Sequence, residues 1–222
     1  MRKGVVLSWS GGKDSALALD ALSRDPGVEV VGLLTSVTSG YDRISVHGVR
    51  RSMLQAQVER LGLPLFEIAL DPACTNDAYE AAFHAALDQI RVELPEVTHI
   101  AFGDLFLEDV RVYRERLLTG TGFDPLFPIW GEDTSSVARR FIADGFSARL
   151  VCVDTTQLAA GFAGREFDSE LLADLPPGVD PCGERGEFHT FVSDGPPFSA
   201  AIPYVVGERV LRDDRFMFCD IQ

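Results

Sequence analysis

Residues 4–15 constrain this chain more than any other stretch. Gly4-Val5-Val6-Leu7 is a short apolar run of the kind that forms a buried strand. It passes directly into Ser8-Trp9-Ser10-Gly11-Gly12-Lys13-Asp14-Ser15, after which Ser15 to Leu22 reads as a helix that Asp25-Pro26-Gly27 stops. Gly11 and Gly12 carry no Cβ, so the loop can turn sharply and let an anion approach its backbone. The helix that follows presents free N–H groups and the positive end of its dipole. Ser8, Ser10 and Ser15 add hydroxyls and Lys13 adds a charge. Such a nest suits a pyrophosphate. The spacing fits neither the Walker A loop nor Gly-x-Gly-x-x-Gly. A polar turn without a ligand is the plain alternative, but turning alone needs neither three serines nor a lysine.

The next hundred residues alternate strand and helix signals. Strands are expected at Val28 to Leu34, Leu65 to Leu70 and His99 to Phe102. Val49, Met53, Leu54, Val58 and Leu61 form one helical face closed by Gly62. Thr75 or Asn76 caps a longer helix with Tyr79, Phe83, Ala86, Leu87 and Ile90 on its apolar face, and Glu108 to Leu118 is another helix. Strands separated by helices indicate right-handed βαβ units, whose ligands sit at the carboxyl ends of the strands. The loops 8–15, 34–39 and 103–107 are therefore expected to meet.

Near residue 125 the rhythm changes. Phe127-Pro128-Ile129-Trp130 reads as a linker, Asp133 or Thr134 opens a helix to Ala143, and Ala148 to Val153 is a strand. A short helix is expected at Asp168 to Leu175, a Pro- and Gly-rich loop from Pro176 to Pro197, and a hairpin from Ala201 to Val206 and Phe216 to Ile221 around Asp213-Asp214. The expected organisation is an α/β domain over residues 1–126 and a smaller α+β domain over 127–222.

The net charge of −14 makes the surface a poor match for a phosphate backbone, so no nucleic-acid partner is expected. Cys74, Cys152, Cys182 and Cys219 form no Cys-x-x-Cys pair, which excludes a zinc ribbon and fits a reducing compartment. Val5 to Leu7 is far too short for a signal-peptide core, and no stretch reads as a membrane span. A cytoplasmic location, without membrane attachment, is the expectation.

The motif Ser-Gly-Gly-x-Asp-Ser after a first strand resembles the N-type ATP pyrophosphatases, which include GMP, NAD and asparagine synthetases and tRNA thiolases. Its lysine, Gly103-Asp104, the Pro125-Leu126-Phe127-Pro128-Ile129-Trp130 segment and Cys182-Gly183-Glu184-Arg185-Gly186-Glu187-Phe188-His189-Thr190 are similar to the diphthine–ammonia ligase-like branch. The resemblance implies a Rossmann-like sheet of five parallel strands with helices on both faces, with an ATP-binding first domain and a substrate-binding second. It implies an AMP-forming amide ligase that adenylates a small-molecule or protein-borne carboxylate and transfers ammonia or an amine. ATP and Mg²⁺ are the implied cofactors. Ser8, Ser10, Gly11, Gly12 and Ser15 would hold the phosphates, Lys13 would stabilise developing charge, and Asp14 would position the metal. Leu34 or Thr35 would border adenine, and Gly103 would leave room beside the nucleotide. Glu184 and Glu187 would act on the substrate, with Glu184 or Glu187 as proton acceptor. Asp104, His189 and Thr190 complete the implied substrate contacts. Diphthine-making members read Gly-Glu-Gly-Gly-Glu-Tyr-Glu-Thr in the second motif, so Arg185, Phe188 and His189 depart from them.

Several residues stay open at this stage. Cys182 reads as a small buried hydrophobe or, in a sulfur-transfer enzyme, as a carrier. His47 reads as a helix cap or a cleft residue. Arg50, Arg51, Arg111, Arg114 and Arg116 read as solvated helix faces, with Arg111 and Arg114 the alternatives for an anionic substrate group. The other functional readings are nucleotide binding without turnover and tRNA thiolation. A homodimer is an open arrangement.

Overall fold

The computed structural model describes residues 2–40, 43–44 and 48–222. His47 lies outside them. The parallel strands are β1 (Lys3–Ser8), β2 (Val28–Thr38), β4 (Leu65–Leu70), β5 (Val97–Ala101) and β6 (Asp124–Leu126), with the two-residue β3 (Arg43–Ile44) between β2 and β4 in the chain. Their pairings give the order β4-β2-β1-β5-β6, and β3 lies antiparallel against the end of β2. The direction of winding reverses between β1 and β5. In open sheets of this kind that crevice is where ligands bind.

Alternation along β1 sorts the core onto two faces. Val5 and Leu7 pack with α1 (Lys13–Arg24) and α2 (Arg51–Leu61). Val6 packs on the other face with Phe83, Leu87 and Ile90 of α3 (Asn76–Glu93) and with Leu117 and Leu118 of α4 (Glu108–Leu118). The local signals behave as their chemistry requires. Thr75 accepts from the Ala78 amide to cap α3, and Gly62 ends α2 in the left-handed conformation.

The second sheet is antiparallel. β7 (Ser147–Asp154), β8 (Phe188–Asp194), β9 (Val206–Arg212) and β10 (Phe216–Ile221) stand in the order β8-β7-β10-β9. α5 (Thr134–Ala143), capped by Asp133, precedes it, and α6 (Ser169–Asp174) lies between β7 and β8. One apolar core runs from Val5 and Leu17 through Phe141 and Val151 to Phe188, Val192 and Ile221. Asp154, 1% exposed, holds both Nε and Nη2 of Arg215 and the hydroxyl of Thr156, which pins the β9–β10 turn to the end of β7.

Several sequence expectations need correction. β2 continues to Thr38, so Leu34 and Thr35 sit inside the strand, not at its end. Asp124–Leu126, just before the expected linker 127–130, is a strand that was not expected. Phe188–Asp194 is a strand inside the expected loop 176–197, because β7 offers it a pairing edge. The first arm of the hairpin is Val206–Arg212, not Ala201 to Val206. α1 begins at Lys13, two residues early, which puts that lysine in the first helical turn.

Candidate functional site

At the carboxyl ends of β1 and β5 lies a cavity of about 260 Å³. Its lining includes Ser8, Ser10, Gly12, Lys13, Asp14 and Ser15 from the first loop, Gly103 and Asp104 from the loop after β5, Arg114 of α4, and Gly183, Glu184, Phe188, His189 and Thr190. The two sequence motifs, remote along the chain, thus form opposite walls. The volume is below the roughly 300–1,000 Å³ of sites that enclose a whole small ligand. It suits the phosphate end of a nucleotide.

The first loop is built for an anion. The Lys13 amide donates to Thr190 Oγ1 at 3.0 Å. Ser15 Oγ donates to the Gly12 carbonyl at 2.8 Å, and the Ser10 and Ser15 hydroxyls lie 3.2 Å apart. The first amides of a helix have no intrahelical acceptor. Among the described residues no backbone carbonyl accepts from those of Asp14 and Ser15. Lys13 Nζ is buried and holds both Asp14 oxygens at 2.8 Å. Burial acts to lower the lysine's pKa, but Asp14, with Cys182 and Glu184 acting in the same direction, leaves the ammonium above its ordinary value. Phe188 adds a ring face 5.7 Å from Nζ.

Gly11, Leu34 and Thr35 do not line the cavity. Gly11 takes φ 78° and faces away from it. A Cβ there would meet Gln57 Oε1 at 2.7 Å. Thr35 Oγ1 donates to the Trp9 carbonyl at 2.6 Å, and the Trp9 amide donates to the Leu34 carbonyl at 2.8 Å. Both residues brace the loop from behind. Gly103 is required for packing more than for space beside a ligand. A Cβ on it would lie 2.9 Å from the Asp14 carbonyl carbon and oxygen.

Glu184 and Glu187, chemically alike, have different surroundings. Glu184 Oε1 accepts from the Leu105 amide at 2.7 Å while the residue lines the cavity. Burial pushes its carboxyl up from 4.5 to about 7, although the Leu105 amide acts in the other direction. Glu187 is 2% exposed, and its two oxygens accept from the Asp180 and Arg185 amides at 2.9 and 3.0 Å. It folds its own loop and is absent from the cavity wall, contrary to the expectation of a paired carboxylate. His189 is on the wall.

Two residues matter that the motifs did not mark. Gln57, fully buried on α2, donates to the Gly11 and Val192 carbonyls at 2.9 and 2.7 Å and accepts from the Trp9 indole at 3.0 Å. Its signal was available: it is a polar residue inside the apolar stripe of Met53, Leu54 and Val58. Asp180 accepts from the Cys182 amide at 2.8 Å and from the Thr134 hydroxyl at 2.8 Å, which sets the second motif against α5.

Among the arginines, Arg114 alone of the five reaches the cavity. Its Nε lies 3.7 Å from Asp104 Oδ2, and both atoms are buried without a hydrogen-bond partner. Arg111 stacks on Phe127 and Trp130, while Arg50 pairs with Asp220, Arg51 with Glu67 and Arg116 with Glu80. The Cys182 thiol is pushed up to about 12 by burial, with Lys13 acting in the other direction, so it is not a thiolate at neutral pH.

A parallel sheet with a serine- and glycine-rich loop at its switch point defines an anion-binding α/β protein. Family models described as the diphthamide synthase N-terminal and C-terminal domains match residues 2–125 and 133–222. The chain belongs to the diphthamide synthase family. The diphthine–ammonia ligase of Danio rerio is 24% identical over 230 residues, covering 95% of this chain and 89% of that protein. The diphthine–ammonia ligase of Rattus norvegicus is 24% identical over 228 residues, covering 91% and 83%. That of Schizosaccharomyces pombe is 24% identical over 211 residues, covering 87% of this chain and 34% of its own length. Among the described residues no helix is long and apolar enough to cross a membrane.

Proposed function

We propose that this chain is an ATP-dependent, AMP-forming amide ligase that joins ammonia to a carboxylate, the activity for which its relatives are named. The observation that carries the proposal is the single cavity shared by the Ser8–Ser15 loop and the Gly183–Thr190 segment. A site for nucleotide binding alone would not require the second wall to bring a proton-accepting carboxylate into it.

In the first step a substrate carboxylate oxygen bonds to the α-phosphorus of ATP, and the bond to pyrophosphate breaks. Ser8, Ser10, Ser15 and the amides of Asp14 and Ser15 bind the phosphates. Lys13, held protonated by Asp14, stabilises charge that develops as pyrophosphate leaves. In the second step ammonia attacks the acyl carbon and AMP departs with the electron pair. Glu184, with its carboxyl near 7, takes the proton lost by the nitrogen.

Mg²⁺ fits the donors present. Asp104 Oδ2 is a buried carboxylate oxygen without a hydrogen-bond partner, and Asp14 lies on the same wall. No group of three or more His, Cys, Asp or Glu residues suited to a metal occurs among the described residues. Mg²⁺ commonly takes one or two carboxylates with water and phosphate oxygens. Bound there, it would neutralise charge on the phosphates. Asp104 would be the stronger holder, since both Asp14 oxygens already serve Lys13.

The surroundings of the acyl group differ from those in diphthine-making members. Phe188 and His189 wall the cavity where diphthine-making members place Tyr and Glu. This removes a phenolic hydroxyl and an acidic side chain from the substrate's surroundings. The test is product analysis with ATP, ammonium and either a diphthine-bearing protein or a panel of small carboxylic acids. AMP, pyrophosphate and an amide are expected, with Lys13→Ala slower by about 10²–10³-fold. ADP as the product would overturn the mechanism.

A further inference from the structure

α4 carries three arginines, and two of them are ion-paired within the chain. Arg111 pairs with Glu115 at 2.8 Å and Arg116 with Glu80 at 2.6 Å. Arg114 instead lines the cavity at β1 and β5. Its guanidinium lies over the Phe102 ring, 5.1 Å from the centroid, and Nη1 donates to the Tyr79 hydroxyl at 3.4 Å, a long hydrogen bond. Nε is enclosed and stands 3.7 Å from Asp104 Oδ2, beyond hydrogen-bond distance. Nη2 makes no hydrogen bond among the described residues, and it is not one of the enclosed atoms. A ring and a hydroxyl thus hold the head in place while Nη2 stays open. Asp104 offsets the burial of the charge without capping that nitrogen.

The cavity needs a further cation. A triphosphate brings several negative charges, and the first loop meets them with neutral hydroxyls and amides. Lys13 is the one cation of residues 8–15, and both Asp14 oxygens hold its ammonium at 2.8 Å, so the pair adds little net charge. The loop after β5 carries Asp104 to the first turn of α1. A Cβ on Gly103 would lie 3.1 Å from the Ser15 amide nitrogen. Arg114 therefore borders the end of α1 where the helix dipole is positive and phosphates are favoured. We propose that Arg114 holds the β- and γ-phosphates of ATP, and then the pyrophosphate released from them, through the Nη2 end of its guanidinium. It rests on ATP occupying this cavity, as proposed above.

Arginine suits this place better than lysine. Its planar head can stack on Phe102 and still direct N–H donors at phosphate oxygens, whereas an ammonium is a compact point charge on a flexible stem. Arg114 lies outside both sequence motifs and seven residues from Leu107, where α4 begins. Its role comes from the helix face it occupies, the one turned to the cavity rather than to Glu115 and Glu80.

The test is titration calorimetry of the full chain with ATP, pyrophosphate and AMP, each with Mg²⁺ and again with the metal chelated. Arg114→Gln is expected to weaken ATP and pyrophosphate by about 10- to 100-fold in both conditions and to leave AMP within about twofold, since AMP lacks those phosphates. Arg116→Gln removes the same charge from the surface of the same helix and should change none of the three. If Arg114→Gln does not fold, Arg114→Lys carries the same comparison, with a smaller loss for ATP and pyrophosphate. Equal weakening of all three ligands by the Arg114 variant would show that it only shapes the cavity, and overturns the proposal. So does a loss confined to Mg²⁺, which would place the effect on Asp104 and the metal. Unchanged ATP and pyrophosphate affinity, an equal loss in Arg116→Gln, or a parent that binds neither ligand also overturns it. The readout needs no turnover. A chain that shows the expected pattern and forms no amide loses the ligase reading alone, and one that forms the amide with Arg114→Gln binding unchanged loses this proposal alone.

Discussion

The backbone amide of Lys13 donates to the side-chain oxygen of Thr190 at 3.0 Å across 177 residues of sequence. One hydroxyl therefore fixes the start of α1 against β8 and aligns the two walls of the cavity. Thr190→Val keeps the shape and leaves that amide without its acceptor. We expect a loss of roughly 1–3 kcal/mol in denaturant unfolding and weaker ATP binding. Thr190→Ser should recover most of both, and a Ser variant as damaged as Val would argue against the hydrogen bond as the cause.

Gln57 serves three partners at once, the Gly11 and Val192 carbonyls and the Trp9 indole. Gln57→Leu is nearly equal in size but satisfies none of them. The expected cost is about 2–4 kcal/mol, read as a lowered denaturation midpoint with an unchanged slope. Trp9 is buried beside Phe198, so its fluorescence should report the local change.

Glu184 predicts a pH dependence. Burial raises its carboxyl from 4.5 to about 7, so the fold favours the neutral form. That contribution to stability is complete below 4.5 and is lost as pH rises through about 7. Glu184→Gln stays neutral and keeps an acceptor for the Leu105 amide. Above pH 7 it should be the more stable protein by roughly 1–2 kcal/mol, after discounting for partial solvent exposure. Amide formation should show an acid limb near 7 in the parent, absent in the variant.

At Gly103 a single methyl group decides the packing of α1 against β5. Gly103→Ala would bring a Cβ to 2.9 Å from backbone atoms of Asp14, which cannot rotate away. The expected loss is about 1–3 kcal/mol with reduced nucleotide affinity. Unchanged affinity, measured by calorimetry, would show that the Asp14 amide does not help to hold the phosphates.

The parts of the site that were legible in the sequence are those written in contiguous residues. The serine–glycine loop, the caps at Thr75 and Asp133 and the strand–helix alternation all follow from neighbours in the chain. What escaped depends on where a segment lies in space. Glu184 and Glu187 share one motif and one chemistry. Only the folded loop shows that the amides of Asp180 and Arg185 capture the second and leave the first to the cavity. Leu34 was expected at a strand end because the continuous apolar run stops there, yet pairing with β4 carries β2 on to Thr38. β8 contains His189, Thr190 and Ser193 between glycine- and proline-rich stretches and reads as a loop until β7 is beside it.

The Gly11 carbonyl accepts from the Val192 amide at 2.9 Å, so the shape of the nucleotide loop is partly imposed by β8. The N-terminal half cannot be transplanted as a ready-made ATP cassette, because its loop is completed by the other half. A chimaera that joins halves from two distant relatives would inherit a mismatched seam at Gly11, Gln57 and Val192. Compensating changes should then arise at those three positions together.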